Sequence, residues 1–137
     1  MSVSTTNYYD TFIEVAGDCP AEVSEIPPES RGGKAASIQY ELIARHPYRY
    51  TSDEVVFHVF AVKNDLPGSA LEEERRKFFS KDQPCLRSSP LTKRYGWGVH
   101  SDSEGKIALY ARESDEHATL ANDARLQHLK ALRARRA

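Results

Sequence analysis

Residues 95–112 read YGWGVHSDSEGKIALYAR, and the fold follows from how this stretch is read. Two aromatic and aliphatic segments, YGWGVHS and KIALYAR, flank the loop DSEG. That loop has the form of a type I turn followed by glycine, with Gly105 taking the positive-φ position. The stretch therefore predicts an antiparallel hairpin. On a two-residue period, Tyr95, Trp97 and Val99 share a face with Ile107, Leu109 and Ala111. Gly96, Gly98 and His100 share the other face with Ala108, Tyr110 and Arg112. The bulky set would pack on helices. Glycine weakens a strand, so two alternating glycines mean that something approaches the backbone closely. A ligand, a helix, the flat-lying 84–94 segment or another chain would each satisfy that demand.

Working outward, YYDTFIEVA at residues 8–16 sets Tyr9, Thr11, Ile13 and Val15 against Asp10, Phe12 and Glu14, which reads as a strand. Residues 17–33 hold three prolines and three glycines and read as an irregular connector. In KAASIQYELIARH, Ala35, Ile38 and Leu42 form one helical stripe with Ile43 beside it, and Pro47 stops the helix. Two readings compete for TSDEVVFHVFAVK. Its β-branched residues favour a strand. Thr51 and Glu54 in capping-box relation, Asp53 in the first turn and the length of the run favour a helix over residues 53–63. Ser69 opens a further helix, ALEEERRKFFSK, whose charges form a solvated face. Ser114 caps a short helix, and Asn122 and Asp123 precede a final helix carrying Leu126, Leu129 and Leu132. The expected fold class is α+β: a small antiparallel sheet, made of the 95–112 hairpin and the 8–16 strand, packed against four or five helices.

The length of 137 residues predicts one domain over 1–137, ending in a frayed basic tail at 134–137. No apolar run approaches the ~18 residues of a membrane span. The N-terminus lacks both a basic start and a greasy segment, so a cytoplasmic protein with no membrane partner is expected. Cys19 and Cys85 form no CxxC pair and are most simply free thiols. Charge is unevenly spread. Residues 1–30 carry Asp10, Glu14, Asp18, Glu22, Glu25 and Glu29 without a Lys or Arg, whereas Arg125, Lys130, Arg133, Arg135 and Arg136 end the chain without an acid. A nucleic-acid arm is disfavoured, because the acidic part repels phosphate and no aromatic platform accompanies the basic one. The two ends would instead face each other, within one chain or across a homodimer.

Taken together, TNYYDTFIEVA, DCP, FFSKDQPCLRSSPLTKRYGWGVHSDSEGKIALY and ES resemble an uncharacterised family of small bacterial and fungal proteins, known only as a domain of unknown function. The resemblance covers nearly the whole chain and is most specific from Phe78 to Tyr110. It implies a small α+β protein and carries over no activity, cofactor or site residue.

The residues themselves suggest a site. Arg87, Lys93 and Arg94 place three cations and no acid between Cys85 and Tyr95, and Arg112 and His100 add donors from the hairpin. Guanidinium groups bind carboxylate or phosphate through a paired fork. The leading expectation is a binding module for a small anionic molecule at the 84–100 segment and the hairpin face, held by Arg87, Arg94, Gly96, Gly98, His100, Tyr110 and Arg112. In the competing structural version, Arg87 and Arg94 merely neutralise Glu72–Glu74 or the acidic N-terminal part. An enzyme is the second expectation, with Cys85 as nucleophile and His100 as base. The third is a self-associating protein joined through its oppositely charged ends. The histidines show no close-spaced ligand pairs, so no metal is expected. ESRGGK lacks the full spacing of a phosphate loop.

Overall fold

The computed structural model describes residues 4–29 and 34–133. Its central feature is the expected hairpin, β2 (Trp97–Ser101) and β3 (Ile107–Ala111), paired from Trp97↔Ala111 to Ser101↔Ile107. Gly105 sits at φ +80°, and Asp102 Oδ1 accepts hydrogen bonds from the backbone N–H groups of Glu104 and Lys106, both at 2.9 Å. The N-terminal strand is shorter than its sequence pattern. β1 (Thr11–Glu14) pairs antiparallel with β2, placing Ile13 opposite Val99 and Phe12 opposite His100. Val99, Ile13 and Ile107 belong to one buried cluster, with Trp97 and Leu109 packed against it. The bulky face of the hairpin is thus the core face.

Helix α1 (Lys34–Arg45) forms where expected, but its buried residues are Ala36, Ser37, Gln39 and Ile43. The apolar stripe read from sequence lies about one residue off, because a polar side chain, Gln39, is among those buried. Helix α2 (Ser52–Lys63) resolves the contest over its sequence. Thr51 Oγ1 accepts from Glu54 N–H at 3.2 Å and Glu54 Oε1 accepts from Thr51 N–H at 3.0 Å, so the capping box is complete. A 3₁₀ turn precedes α3 (Leu71–Phe78), whose Glu73 and Glu74 pair with Arg76 and Lys77 on the same helix. The acids of α3 are therefore answered locally rather than by Arg87 or Arg94. α4 (Pro90–Lys93) is one short turn capped by Ser89.

A clamp joins the N-terminal segment to α2. Asp53, 9% exposed, accepts hydrogen bonds from Thr6 N–H (2.6 Å) and Thr6 Oγ1 (2.7 Å) on Oδ1, and from Thr5 Oγ1 (2.7 Å) on Oδ2. Asn7 Oδ1 in turn accepts from Asp53 N–H at 2.8 Å. The carboxylate also lies in the first turn of α2, where the helix dipole favours negative charge.

The C-terminal expectation is overturned. Residues 127–130 form not a helix but a strand, β4 (Gln127–Lys130), parallel to β1 and completing the sheet order β3-β2-β1-β4. Of Leu126, Leu129 and Leu132, whose spacing of three suggested a helical stripe, Leu129 packs on the core and Leu132 is 46% exposed. Asp123 does not start a helix; its carboxylate accepts from the backbone N–H of Arg125 at 2.9 Å and closes a turn. The open edge of β1 then recruits the chain, with Gln127 N–H bonding Asp10 O at 2.8 Å and Ala131 N–H bonding Glu14 O at 2.9 Å. This pairing sets Glu14 beside Lys130, so the oppositely charged ends of the sequence meet within one chain. The expected basic tail at 134–137 lies outside the described residues.

Helices α1, α2 and α4 cover one face of the sheet, and α5 (Asp115–Ala121) covers part of the other. Ser114 caps α5 by accepting from His117 N–H at 3.1 Å. The His117 ring stands edge-on to Phe12, with centroids 4.8 Å apart, and both lie over Gly98. A Cβ at that position would fall 2.7 Å from Phe12 Cζ and 2.8 Å from His117 Cδ2. Gly96, at φ +81°, lies under Ser24 of the connector, whose Cα would be 3.2 Å from a Cβ there. The glycine face is therefore covered by the chain itself, by α5 and the connector, not by the 84–94 segment. Burial pushes the titration of His117 below the ordinary imidazole value, and its buried Nε2 meets no hydrogen-bond partner among the described residues.

Three outcomes follow. Asp53→Ala removes three hydrogen bonds to a buried carboxylate and should cost about 3 kcal/mol in urea denaturation; a cost under ~1 kcal/mol would show that the clamp is idle. Gly98→Ala forces Phe12 and His117 apart and should cost about 2 kcal/mol, less in a His117→Ala background. Because burial lowers the imidazoles of His117 and His100, the unfolded chain binds more protons than the folded one as pH falls through about 6.5. Stability should be level above neutrality and decline from about pH 7 to pH 5, with a shallower decline for His117→Gln in melts across that range.

Candidate functional site

The segment that carries Cys85 is rigid for local reasons. Pro84 leads into a 3₁₀ turn at Leu86–Ser88, and Ser89 Oγ then accepts from Leu91 N–H at 3.1 Å to begin α4 with Pro90 in its first turn. Leu86, Leu91 and Thr92 are almost fully buried, and the Thr92 hydroxyl donates to Leu86 O and Ser89 O at 3.1 Å. The segment thereby becomes a wall. Between it and helices α1, α2 and α3 runs a groove of about 320 Å³. Val56, Val59, Phe60 and Phe78 supply its apolar floor, while Gln39, Gln83, Cys85, Ser88 and Ser89 supply polar edges.

Gln39 is the unusual member. Only 9% of it is exposed, and its Oε1 accepts from Ser89 Oγ at 2.6 Å. Ser89 Oγ thus receives Leu91 N–H and donates its own hydrogen to the Gln39 amide oxygen. The amide belongs to the lining of the groove.

Cys85 lies on the same groove, half-buried. Its Sγ is 3.3 Å from the Tyr8 hydroxyl. Burial, then the thiol, pushes the Tyr8 phenol up from its ordinary value, with the Arg87 guanidinium opposing from nearby. The phenol thus stays neutral and able to donate. Arg87 itself is committed to β4: its Nε donates to Lys130 O at 2.9 Å, and its own carbonyl accepts from Leu132 N–H at 2.8 Å.

The structure divides the sequence-derived site residues into three places. Cys85 and Arg87 meet through Tyr8. His100 and Tyr110 meet through Tyr48, whose hydroxyl lies 2.7 Å from His100 Nδ1 and 2.6 Å from Tyr110 OH. Tyr48 holds a left-handed backbone at φ 60° and donates its N–H to Ile107 O. Burial and Tyr110 push its phenol well above the usual range, and burial lowers His100. Gly96 and Arg112 meet at the connector, where the Arg112 guanidinium donates to Ala21 O and Ser24 bonds the neighbouring Glu113 carboxylate through N–H (2.8 Å) and Oγ (2.9 Å). Arg94 is exposed. The cations do not converge on the glycines.

Cys85 and His100 are not brought together either. Cys85 faces the groove on the helix side of the sheet, whereas His100 shares the α5 side with Phe12. Among the described residues no group of three or more His, Cys, Asp or Glu side chains could hold a metal ion, and no described helix is long and apolar enough to cross a membrane. Tyr8 and Gln39 are the residues that sequence reasoning missed. Tyr8 is one of two adjacent tyrosines, and Gln39 sits in a helix at a position that an apolar-stripe search passes over.

No curated protein matches the chain, and no solved structure does. A protein-family match does span residues 3–137, nearly the whole chain, and on that match the chain belongs to a family of unknown function, DUF6157.

Proposed function

We propose that this chain is a small-molecule-binding domain whose ligand lies in the groove between the 84–90 wall and helices α1–α3. The ligand has a largely apolar body and one carbonyl or carboxylate oxygen. The observation that carries this reading is the groove itself, an apolar floor of Val56, Val59, Phe60 and Phe78 edged by the side-chain amide of Gln39, whose Oε1 is held by the Ser89 hydroxyl. A ligand oxygen that accepts from the Gln39 amide adds orientation and the roughly 1 kcal/mol of a net hydrogen bond. Apolar contact with Val56, Val59, Phe60 and Phe78 supplies the remainder.

Within the broader expectation of a small anionic ligand, this geometry favours carboxylate over phosphate. The guanidinium groups of Arg87 and Arg112 are bonded to backbone carbonyls, and neither residue lines the groove. Two unpaired thiols accord with a reducing, cytoplasmic setting. Glu14 and Lys130 lie opposite each other on neighbouring strands, which accords with the reading in which the oppositely charged ends face each other within one chain.

A thermal-shift series of aliphatic and aryl carboxylic acids, with their amides, tests the assignment. A ligand at a hundred times its Kd adds about 2.7 kcal/mol to folded stability. Gln39→Leu should weaken such a compound about tenfold, the scale of one hydrogen bond. Val56→Phe, which narrows the groove from a half-buried position, should abolish the shift. Were no compound to raise the Tm, or were hits to survive both substitutions, the groove would not be the binding site.

A further inference from the structure

Helix α5 is lightly secured on the sheet. None of its seven residues is fully buried, and a helix this short has little stability of its own. It owes its place to the His117 ring, which enters the notch left by the missing side chain of Gly98. A Cβ on that glycine would fall 2.9 Å from His117 Nε2 and 2.7 Å from Phe12 Cζ. The ring stands edge-on to Phe12, which is itself 0% exposed. The anchor of the helix is thus a titratable group, and its inner nitrogen is buried with no hydrogen-bond partner among the described residues.

The chain on either side of α5 is held independently of it. Before it, Arg112 donates to Ala21 O, and the Glu113 carboxylate accepts from Ser24 N–H and Oγ. After it, the Asp123 carboxylate takes the Arg125 N–H, Asp123 O meets His128 Nε2 at 2.7 Å, and β4 pairs with β1. Residues 114–122 lie between these anchors, so the helix can leave the sheet without dismantling it. The surroundings of His117 disfavour a charge in place. Burial opposes the imidazolium most strongly; Glu14 on β1 and Glu113 favour it, and Arg112 after β3 opposes it. Asp115 and Glu116 of α5 itself sit in its first turn. His100 and His128 share the same sheet face through their pairing with Phe12.

We propose that α5 is a proton-released cover on the sheet: neutral His117 holds it closed, and a proton on Nε2 frees residues 114–122 to swing away, baring Phe12 and the Gly98 notch. An imidazolium N–H against Gly98 and Phe12 meets neither water nor a protein acceptor among the described residues, a costly place for charge. Opening gives it water. The equilibrium moves by differential proton affinity alone. A proton that binds only the open form multiplies the opening constant by at most about thirtyfold at pH 5, taking ~6.5 for an exposed imidazole. The cluster of Ile13, Val99 and Ile107 lies on the opposite face and stays covered. The opening is therefore local, distinct from the global loss of stability at falling pH.

Native-state hydrogen exchange on the full chain tests this, at about pH 7.5 and about pH 5, with and without mild urea. Protection factors, corrected for the intrinsic pH dependence of exchange, are compared between α5 and the β2–β3 hairpin. The α5 amides should exchange through a local opening, with lower protection than the hairpin and no response to mild urea. Their protection should be about ten- to thirtyfold weaker at the lower pH. His117→Leu, which keeps an apolar anchor but binds no proton, should give equal α5 protection at both pH values. His117→Phe is a second neutral anchor should the shorter side chain seat poorly. If both substitutions leave α5 open throughout, the wild-type ring decides. Its NMR resonances should titrate below the ordinary imidazole value and in step with α5 protection, and titration at or above that value overturns the cover. So would α5 amides that share the urea dependence of the hairpin, exchanging only by global unfolding. A pH response that survives both substitutions would also overturn it, passing the proton to His100 or another group.

Discussion

The Asp53 carboxylate is the constraint on which the rest of this structure hangs. It sits in the first turn of α2 and takes three hydrogen bonds from Thr5 and Thr6, while Asn7 reaches back to its N–H. Residues 5–7 are thereby fastened to a helix rather than to the sheet, and the chain leaving them is aimed between β2 and the place that β4 will take. Tyr8 follows at once and meets Cys85; β1 follows three residues later and becomes an interior strand. One buried carboxylate, satisfied by neutral donors, thus fastens the segment that leads into β1 and brings Tyr8 to the wall of the groove.

Elements governed by local chemistry could be read directly. The DSEG loop with its glycine, the Thr51–Glu54 capping box and the Ser114 cap each state their structure within a few residues, and each is present. The box mattered most, because it outweighed the β-branched composition of α2. β4 was illegible for the opposite reason. Its residues carry a weak pattern of their own, and they become a strand because β1, far away in sequence, offers unpaired backbone groups that a neighbouring strand satisfies. Pairing of this kind leaves no mark in a local window.

The residues singled out from sequence lie at separate places in the fold. The alternating glycines did signal close approach to the backbone, since Phe12, His117 and Ser24 lie where side chains would have been. Nothing in the sequence distinguishes a helix as the occupant from a ligand. Likewise, the run of cations after Cys85 carries no information about direction, and Arg87 turned out to fasten β4 whereas Arg94 faces solvent. Gln39 escaped notice because a polar residue in an amphipathic helix is ordinarily assigned to the wet side. Its burial follows from Ser89, a contact across fifty positions that no helical periodicity encodes.

The position of β1 between β2 and β4 also orders events during synthesis. β1 must wait for its parallel partner β4, which follows it by most of the described chain. Until then β1 exposes a row of backbone donors and acceptors beside an already formed hairpin, open to any extended peptide in the vicinity. The chain is therefore most open to wrong pairing in the interval before β4 has emerged, and the polar, charged character of Gln127, His128 and Lys130 suits a strand that must stay in solution until its slot is ready.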